Sequence, residues 1–140
     1  MDPIERFAIE DLLTEFGLRV DHGRAPAVAE LFIEEGLIVT PAFSLCGREQ
    51  IAAHFTRRDA GGNVVSRHQW SNLRLEQLDN GDVRARMIVH TQLGTRTAAG
   101  PVKPDHSMVG DSVDVVRRTA EGWRFVERKL EMAFRWAPGP

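Results

Sequence analysis

A short stretch of the chain, residues 66–75, carries side chains that could do chemistry. Its sequence predicts a long β-strand, and alternate residues of a strand point to one face, so His68, Trp70 and Asn72 are predicted to share a face. An imidazole, an indole and an amide side by side are unusual in a core but suit a ligand pocket. His68 is a candidate general base near neutral pH, because histidine has a reference pKa of about 6.5. Trp70 could stack on a flat ligand and Asn72 could orient a ligand oxygen.

A histidine base needs a group that orients its ring, and the candidate is Asp21. The first helix is predicted to open at Asp2-Pro3-Ile4-Glu5, a capping-box-like pattern, and to end at Gly23. Its apolar stripe consists of Ile9, Leu12, Leu13, Phe16 and Val20. Gly17 lies on the same face and would permit close approach of another backbone. Asp21, four residues later, could fix the tautomer of His68 and leave its other ring nitrogen free to accept a proton.

The remaining elements predict an α+β fold in which helices come first and long antiparallel strands follow. Two further helices are predicted over residues 26–32 and 48–58. The predicted strands span residues 37–40, 43–46, 64–78, 82–93, 108–118 and 123–136. The leucines at 73 and 75 point opposite to His68, which suggests a bulge near Ser71.

The composition is that of one ordinary globular domain spanning residues 1–140, with 42% hydrophobic and 27% charged residues. The net charge of −2 and the scattered Lys and Arg residues argue against nucleic acid as a partner. We expect no membrane association and a cytoplasmic location, because no signal peptide or long apolar run is present and Cys46 is the lone cysteine. The exposed face of the sheet predicted above usually needs to be covered by another subunit. A homodimer or a homotrimer is therefore expected, without a choice between them.

Other polar residues are weaker candidates. Arg128 on the last strand is a candidate anion stabiliser, although a surface ion pair with Asp114 is the favoured explanation. Trp123, Phe125 and Glu127 are predicted to share one face of that strand, and Arg128 the other. The remaining histidines are predicted outside the pocket: His90 pointing away, His22 at a helix end, His54 and His106 at the surface. The histidines lack metal-site spacing, so no metal is predicted, and Cys46 is expected to be buried.

The order of these motifs resembles the SnoaL-like branch of the nuclear transport factor 2-like superfamily. The resemblance rests on Val20-Asp21, Leu31-Phe32, residues 47–51, and Arg67-His68 followed by Ser71-Asn72, with Gly-Trp-Arg-Phe closing at residues 122–125. It implies a cone-shaped fold, with the N-terminal helices packed in the concave face of a curved six-stranded sheet.

Within this superfamily the pattern is most similar to the scytalone dehydratase-like group, which implies Asp21 and His68 as a catalytic dyad. Dehydratases of that group carry a tyrosine where this chain has Val20, and a dehydrochlorinase carries a lysine where it has Phe16. Both positions are expected to line the pocket, but without that chemistry.

The resulting hypothesis is a cofactor-independent enzyme for a compact, apolar, polycyclic or aromatic small molecule, either a dehydratase-like lyase or an isomerase/cyclase. The alternative is a non-catalytic ligand-binding or subunit-interaction module.

Overall fold

The computed structural model describes residues 1–137, and within them three helices pack against one six-stranded sheet. The helices are α1 (Pro3–Asp21), a 3₁₀ helix (Ala25–Leu31) and α2 (Gly47–Asp59). The strands are β1 (Phe32–Val39), β2 (Ser44–Cys46), β3 (Val64–Gln77), β4 (Val83–Thr95), β5 (His106–Thr119) and β6 (Gly122–Trp136). None of these helices combines the length and apolar character needed to cross a membrane.

The sheet has the strand order β2-β1-β6-β5-β4-β3, and every neighbouring pair is antiparallel except β1 with β6. The predicted α+β architecture with a curved, mostly antiparallel six-stranded sheet is confirmed. The second predicted helix is a 3₁₀ helix, and β1 begins five residues earlier than residue 37, at Phe32.

Three irregularities bend the long strands. The pairing register shifts between Ser71 and Arg74 in β3, between Val109 and Gly110 in β5, and between Val115 and Val116 of β5. An extra residue on one strand bends it and increases its twist, which curves a sheet. A Cβ on Gly110 would collide with the carbonyl oxygen of Glu131, so this bulge depends on glycine.

The core lies between the concave face of the sheet and the helices. Phe16 is its aromatic centre, because its ring makes edge contacts at 6.0–6.4 Å between centroids with the rings of Phe32, Phe55 and Phe125. Edge-to-face pairs of this kind add about 0.5–1.5 kcal/mol each to the burial of the rings. The cluster fixes α1 across the sheet and thereby the position of Asp21 at its end.

The start of α1 is capped as predicted, but not as a capping box. The Asp2 side chain accepts a hydrogen bond from the backbone N–H of Ile4, and Pro3 begins the helix. The carboxylate of Glu5 instead accepts from Trp123 Nε1 at 2.6 Å, so Glu5 ties the helix to β6.

Candidate functional site

Asp21 and His68 meet at the junction of α1 and β3. The Asp21 side chain is 5% exposed, and its Oδ1 lies 2.6 Å from Nδ1 of His68. Its Oδ2 accepts the backbone N–H of His68 at 2.8 Å, and its Oδ1 also accepts the hydroxyl of Ser66 at 2.7 Å. Three hydrogen bonds thus fix the carboxylate against β3, and one of them orients the imidazole.

The contacts between α1 and β3 follow from the spacing of side chains along a helix and along a strand. Thr14, Gly17 and Asp21 lie on one face of α1, because residues three or four apart in a helix are neighbours. They face Trp70, His68 and Ser66 of β3, which share a face because a strand repeats every two residues. At one end of this contact between α1 and β3, Trp70 Nε1 donates to Thr14 Oγ1 at 3.2 Å. At the other end, Asp21 accepts a hydrogen bond from the hydroxyl group of Ser66.

Gly17 allows the close approach that the sequence predicts. A Cβ placed on Gly17 would lie 3.4 Å from Cβ of His68 and 3.5 Å from its carbonyl oxygen, so only a small residue fits. The helix backbone therefore packs directly on the strand at the residue that carries the imidazole.

The ionisation of Asp21 decides which nitrogen of His68 carries the proton. Burial raises the pKa of the Asp21 carboxyl, but the hydrogen bond and charge of His68 and the hydroxyl of Ser66 outweigh it and leave the pKa below its usual value. Because an ionised carboxylate has no proton to donate, Nδ1 of His68 must donate to it. In the neutral imidazole, Nε2 is then the nitrogen with the lone pair, and it makes no hydrogen bond with residues 1–137.

The imidazole lines a cavity of about 770 Å³ between α1, α2 and the sheet. This volume lies within the usual range for small-molecule sites, about 300–1,000 Å³. The walls are largely apolar and include Phe16, Val20, Val89, Leu93, Met108, Leu130 and Met132. A compact apolar molecule would therefore lie beside His68 in a partly water-excluded space.

A second polar cluster lines the cavity from β5 and β6. Nε of Arg128 donates to Oδ2 of the fully buried Asp114 at 2.8 Å, and Ser112 donates to its Oδ1 at 2.6 Å. The guanidinium carbon of Arg128 lies 4.2 Å from the ring centroid of Phe16 and 4.7 Å from that of Phe125. The two Nη groups of Arg128 make no hydrogen bond with the described residues and are not sealed from the cavity.

The structure places most of the predicted residues at this cavity. Asp21, His68, Trp70, Phe16, Val20 and Arg128 all line it. The ion pair of Arg128 with Asp114 forms as expected, but it is buried and not at the surface.

Asn72 is a correction, because it does not line the cavity. It is exposed, with φ of +56°, at the bulge where β3 changes its buried face. The bulge that Leu73 and Leu75 indicated is therefore present, and the extra residue removes Asn72 from the face of His68. Asparagine suits this position because its side chain tolerates left-handed backbone conformations.

The face prediction for the last strand is also wrong. Phe125 pairs with Val116 and Glu127 with the adjacent Val115, so Val126 is an extra residue in β6. Phe125 and Arg128 therefore lie on the same face of the sheet, and Glu127 lies on the opposite face.

Two histidines predicted at the surface line the cavity instead. His54 stacks on Phe43 at 4.3 Å between ring centroids, and burial, followed by the charges of Arg57 and Arg58, lowers its pKa. His106 also lines the cavity, with its Nδ1 buried and unpaired among the described residues.

Of the other predicted positions, His90 and His22 lie where the sequence predicts, and Cys46 does not. His90 lies outside the cavity lining, as predicted, and bonds Ser107 across β5. His22 is the exposed C-cap residue of α1. Cys46 is exposed, which corrects the expectation of burial, because β2 lies at the edge of the sheet.

Arg58 was missed by sequence reasoning. It lines the cavity from the last turn of α2 and donates from Nη2 to Ser66 Oγ at 2.7 Å and from Nη1 to the carbonyl oxygen of Val20 at 3.3 Å. A basic residue in a last helical turn is common, so the sequence held no signal that would single it out. Within residues 1–137, no group of three or more His, Cys, Asp or Glu side chains is arranged to hold a metal ion.

Comparison with solved structures supports the fold. A protein provisionally named a scytalone dehydratase from Novosphingobium aromaticivorans is 21% identical, with 98% of this chain and 89% of that chain covered and a TM-score of 0.80. ActVI-ORFA from Streptomyces coelicolor is 19% identical, with 91% and 96% covered and a TM-score of 0.74. An NTF2-like protein with a cystatin-like fold from Novosphingobium aromaticivorans is 25% identical, with 92% and 82% covered and a TM-score of 0.70.

No curated protein sequence matches this chain with significance. The sequence profile of the SnoaL-like domain matches residues 4–129, which is most of the chain and includes Asp21, His68 and Arg128. With its helices on a curved sheet in the NTF2-like arrangement, the chain belongs to the SnoaL-like domain family.

Proposed function

We propose that this protein is a small cofactor-independent enzyme in which His68, oriented by Asp21, removes a proton from a carbon atom of a compact, largely apolar substrate. The observation that carries the proposal is the 2.6 Å contact between Asp21 Oδ1 and His68 Nδ1 at the wall of the 770 Å³ cavity. It supplies a base with a fixed tautomer beside space for a small molecule.

The chemical step uses the free nitrogen of His68. Its Nε2 lone pair takes a proton from a carbon next to a carbonyl group, and the C–H electron pair enters an enolate. Asp21 then faces an imidazolium cation across the same hydrogen bond and stabilises it. In a dehydratase-like lyase, the enolate expels a hydroxyl group from the neighbouring carbon, and this group takes the proton of the His68 imidazolium and leaves as water. In an isomerase, the imidazolium returns the proton to a different carbon of the enolate. In a cyclase, the enolate carbon attacks a second carbonyl carbon of the substrate, and the new alkoxide takes the proton from the imidazolium.

The enolate oxygen needs a partner, and Arg128 is the best-placed cation for it. Asp114 fixes the Nε side of the guanidinium, and the open Nη groups are donors that can meet an oxyanion. One of the similar structures described above is named as a dehydratase, which agrees with the lyase form of the proposal.

A second candidate function is non-catalytic binding of the same class of ligand. It is favoured by the buried carboxylate of Asp114, which offsets much of the charge that Arg128 could offer to an oxyanion. The two candidate functions are separated by whether the protein accelerates exchange of the C–H protons of a bound ligand with solvent.

The test uses 2-tetralone, a bicyclic ketone with activated C–H bonds next to its carbonyl group. Its deuterium uptake from D₂O is followed by NMR with wild type, His68→Ala, Asp21→Asn and the matched control His90→Ala, whose histidine lies outside the cavity. Wild type and His90→Ala should accelerate uptake at the same rate, and the other two variants should lose roughly 10²–10⁴-fold of the acceleration. Binding of the ketone without any acceleration by wild type would favour the binding module.

A further inference from the structure

The C-terminal turn of α2 meets the dyad through a chain of side chains that the proposed chemistry does not use. Arg58 Nη2 lies 2.7 Å from Ser66 Oγ, which lies 2.7 Å from Asp21 Oδ1, which lies 2.6 Å from His68 Nδ1. Ser66 is 2% exposed, so its hydroxyl group has no access to bulk water. The four residues come from α1, α2 and β3.

The direction of each hydrogen bond in this chain is dictated by Arg58. A guanidinium group can only donate, so the oxygen of Ser66 must accept from it. A hydroxyl group has one proton, and the remaining polar neighbour of Ser66 Oγ is the carboxylate of Asp21. The proton of Ser66 is therefore directed at Oδ1, the same oxygen that holds the imidazole.

Arg58 also fixes the backbone on which Asp21 stands. Its Nη1 donates to the carbonyl oxygen of Val20, the residue before Asp21, in the last turn of α1 where carbonyl groups lack helical partners. The next residue of α2, Asp59, accepts the backbone N–H of Ala25 at 3.2 Å and so holds the start of the 3₁₀ helix. The end of α2 therefore clamps both sides of the turn that follows Asp21.

We propose that Arg58 is a positioning residue, which acts through the hydroxyl of Ser66 to hold the Asp21 carboxylate in the orientation that sets the His68 tautomer. Arg58 need not touch the substrate for this role. Its effect on turnover rests on the proposed function, whereas its effect on Asp21 does not.

The test is the titration of the Asp21 side-chain carboxyl carbon by ¹³C NMR in the protein without ligand. Wild type is compared with Arg58→Met, Ser66→Ala, the double variant, and the control Arg57→Met, which removes the same charge from the exposed preceding residue. The pKa of Asp21 should rise in Arg58→Met and in Ser66→Ala, and it should stay near the wild-type value in Arg57→Met. In the Ser66→Ala background, Arg58→Met should add little, because the connecting hydroxyl is already absent.

Equal rises for Arg58→Met with and without the Ser66 hydroxyl would overturn the relay, since the charge would then act through space. Arg58→Lys keeps a donor and should restore part of the wild-type titration. If Arg58→Met does not fold, Ser66→Ala against wild type decides: an unchanged Asp21 titration overturns the proposal. With a substrate that the enzyme converts, kcat should fall by about tenfold in Arg58→Met, which is part of the roughly 10²–10⁴-fold that a general base contributes, and KM should change little. An altered Asp21 titration in a protein without turnover would retain the positioning role and reject the enzyme function alone.

Discussion

Replacement of Gly17 by alanine tests how α1 packs on β3 beside His68. Gly17 is buried within α1, and glycine in a helix interior is less favourable than alanine by about 0.8–1.0 kcal/mol. The new Cβ would lie 3.4 Å from Cβ of His68 and 3.5 Å from its carbonyl oxygen, which is ordinary van der Waals contact. We therefore expect Gly17→Ala to stabilise the fold by about 1 kcal/mol and to leave the dyad in place.

Gly17→Val should do the opposite. Its two methyl groups extend from a Cβ that already touches His68, and overpacking of this kind costs about 1–3 kcal/mol. It should also push β3 away from the helix and lengthen the hydrogen bond between His68 and Asp21.

Urea unfolding followed by circular dichroism measures both changes, and the slope should be the same for all three proteins because the exposed surface is similar. The melting temperature of Gly17→Ala should rise by roughly 3–4 °C. A loss of stability of about 1 kcal/mol or more in Gly17→Ala would mean that the helix lies closer to β3 than the contacts indicate, and would refute this packing.

Two further predictions concern ion pairs formed by buried carboxylates. Arg128→Met leaves Asp114 buried without its cation and should cost about 3–5 kcal/mol in urea unfolding, whereas Arg128→Met combined with Asp114→Leu should recover most of that loss; equal losses in the single and double variants would argue against the pair. Arg117 forms a bidentate contact with Asp82 and lowers the pKa of the Asp82 carboxyl, and Asp82→Asn breaks this ion pair. The variant should therefore be less stable than wild type above the unfolded-state pKa of about 3.9, and this difference should vanish as the pH falls through the folded-state pKa. A difference that stays constant from neutral to strongly acid pH would contradict the ionic origin of this contact.

The positions of Asp21 and His68 within their own elements could be predicted from short-range repeats, whereas their pairing was implied by the family resemblance. The helical spacing that places Asp21 near Gly17 and the alternation that places His68 beside Trp70 are local properties. The α+β order of the elements could be predicted for the same reason, since the hydrophobic periodicity of a long amphipathic segment indicates whether it is a helix or a strand.

The positions that sequence reasoning misplaced depend on bulges and curvature. One extra residue in β3 turns Asn72 outward, and one extra residue in β6 brings Arg128 to the face of Phe125. The leucines at 73 and 75 indicated a bulge near Ser71 but not which residue it displaces, and no such pattern marks the extra residue in β6, because the register of a strand depends on its partner strand. His54, Arg58 and His106 line the cavity because of the tertiary arrangement of the helices and the curved sheet, which local sequence patterns do not specify.

The proposed chemistry requires that Nε2 of His68 faces the cavity and carries no proton when the imidazole is neutral. The direct measurement is the ¹⁵N NMR spectrum of the histidine ring at a pH where the imidazole is neutral. We expect a proton on Nδ1, a strongly downfield Nδ1 proton signal from the bond to Asp21, and a pyridine-like Nε2. In Asp21→Asn this downfield signal should be lost. A neutral His68 with its proton on Nε2 in the wild-type protein would contradict the proposed chemistry.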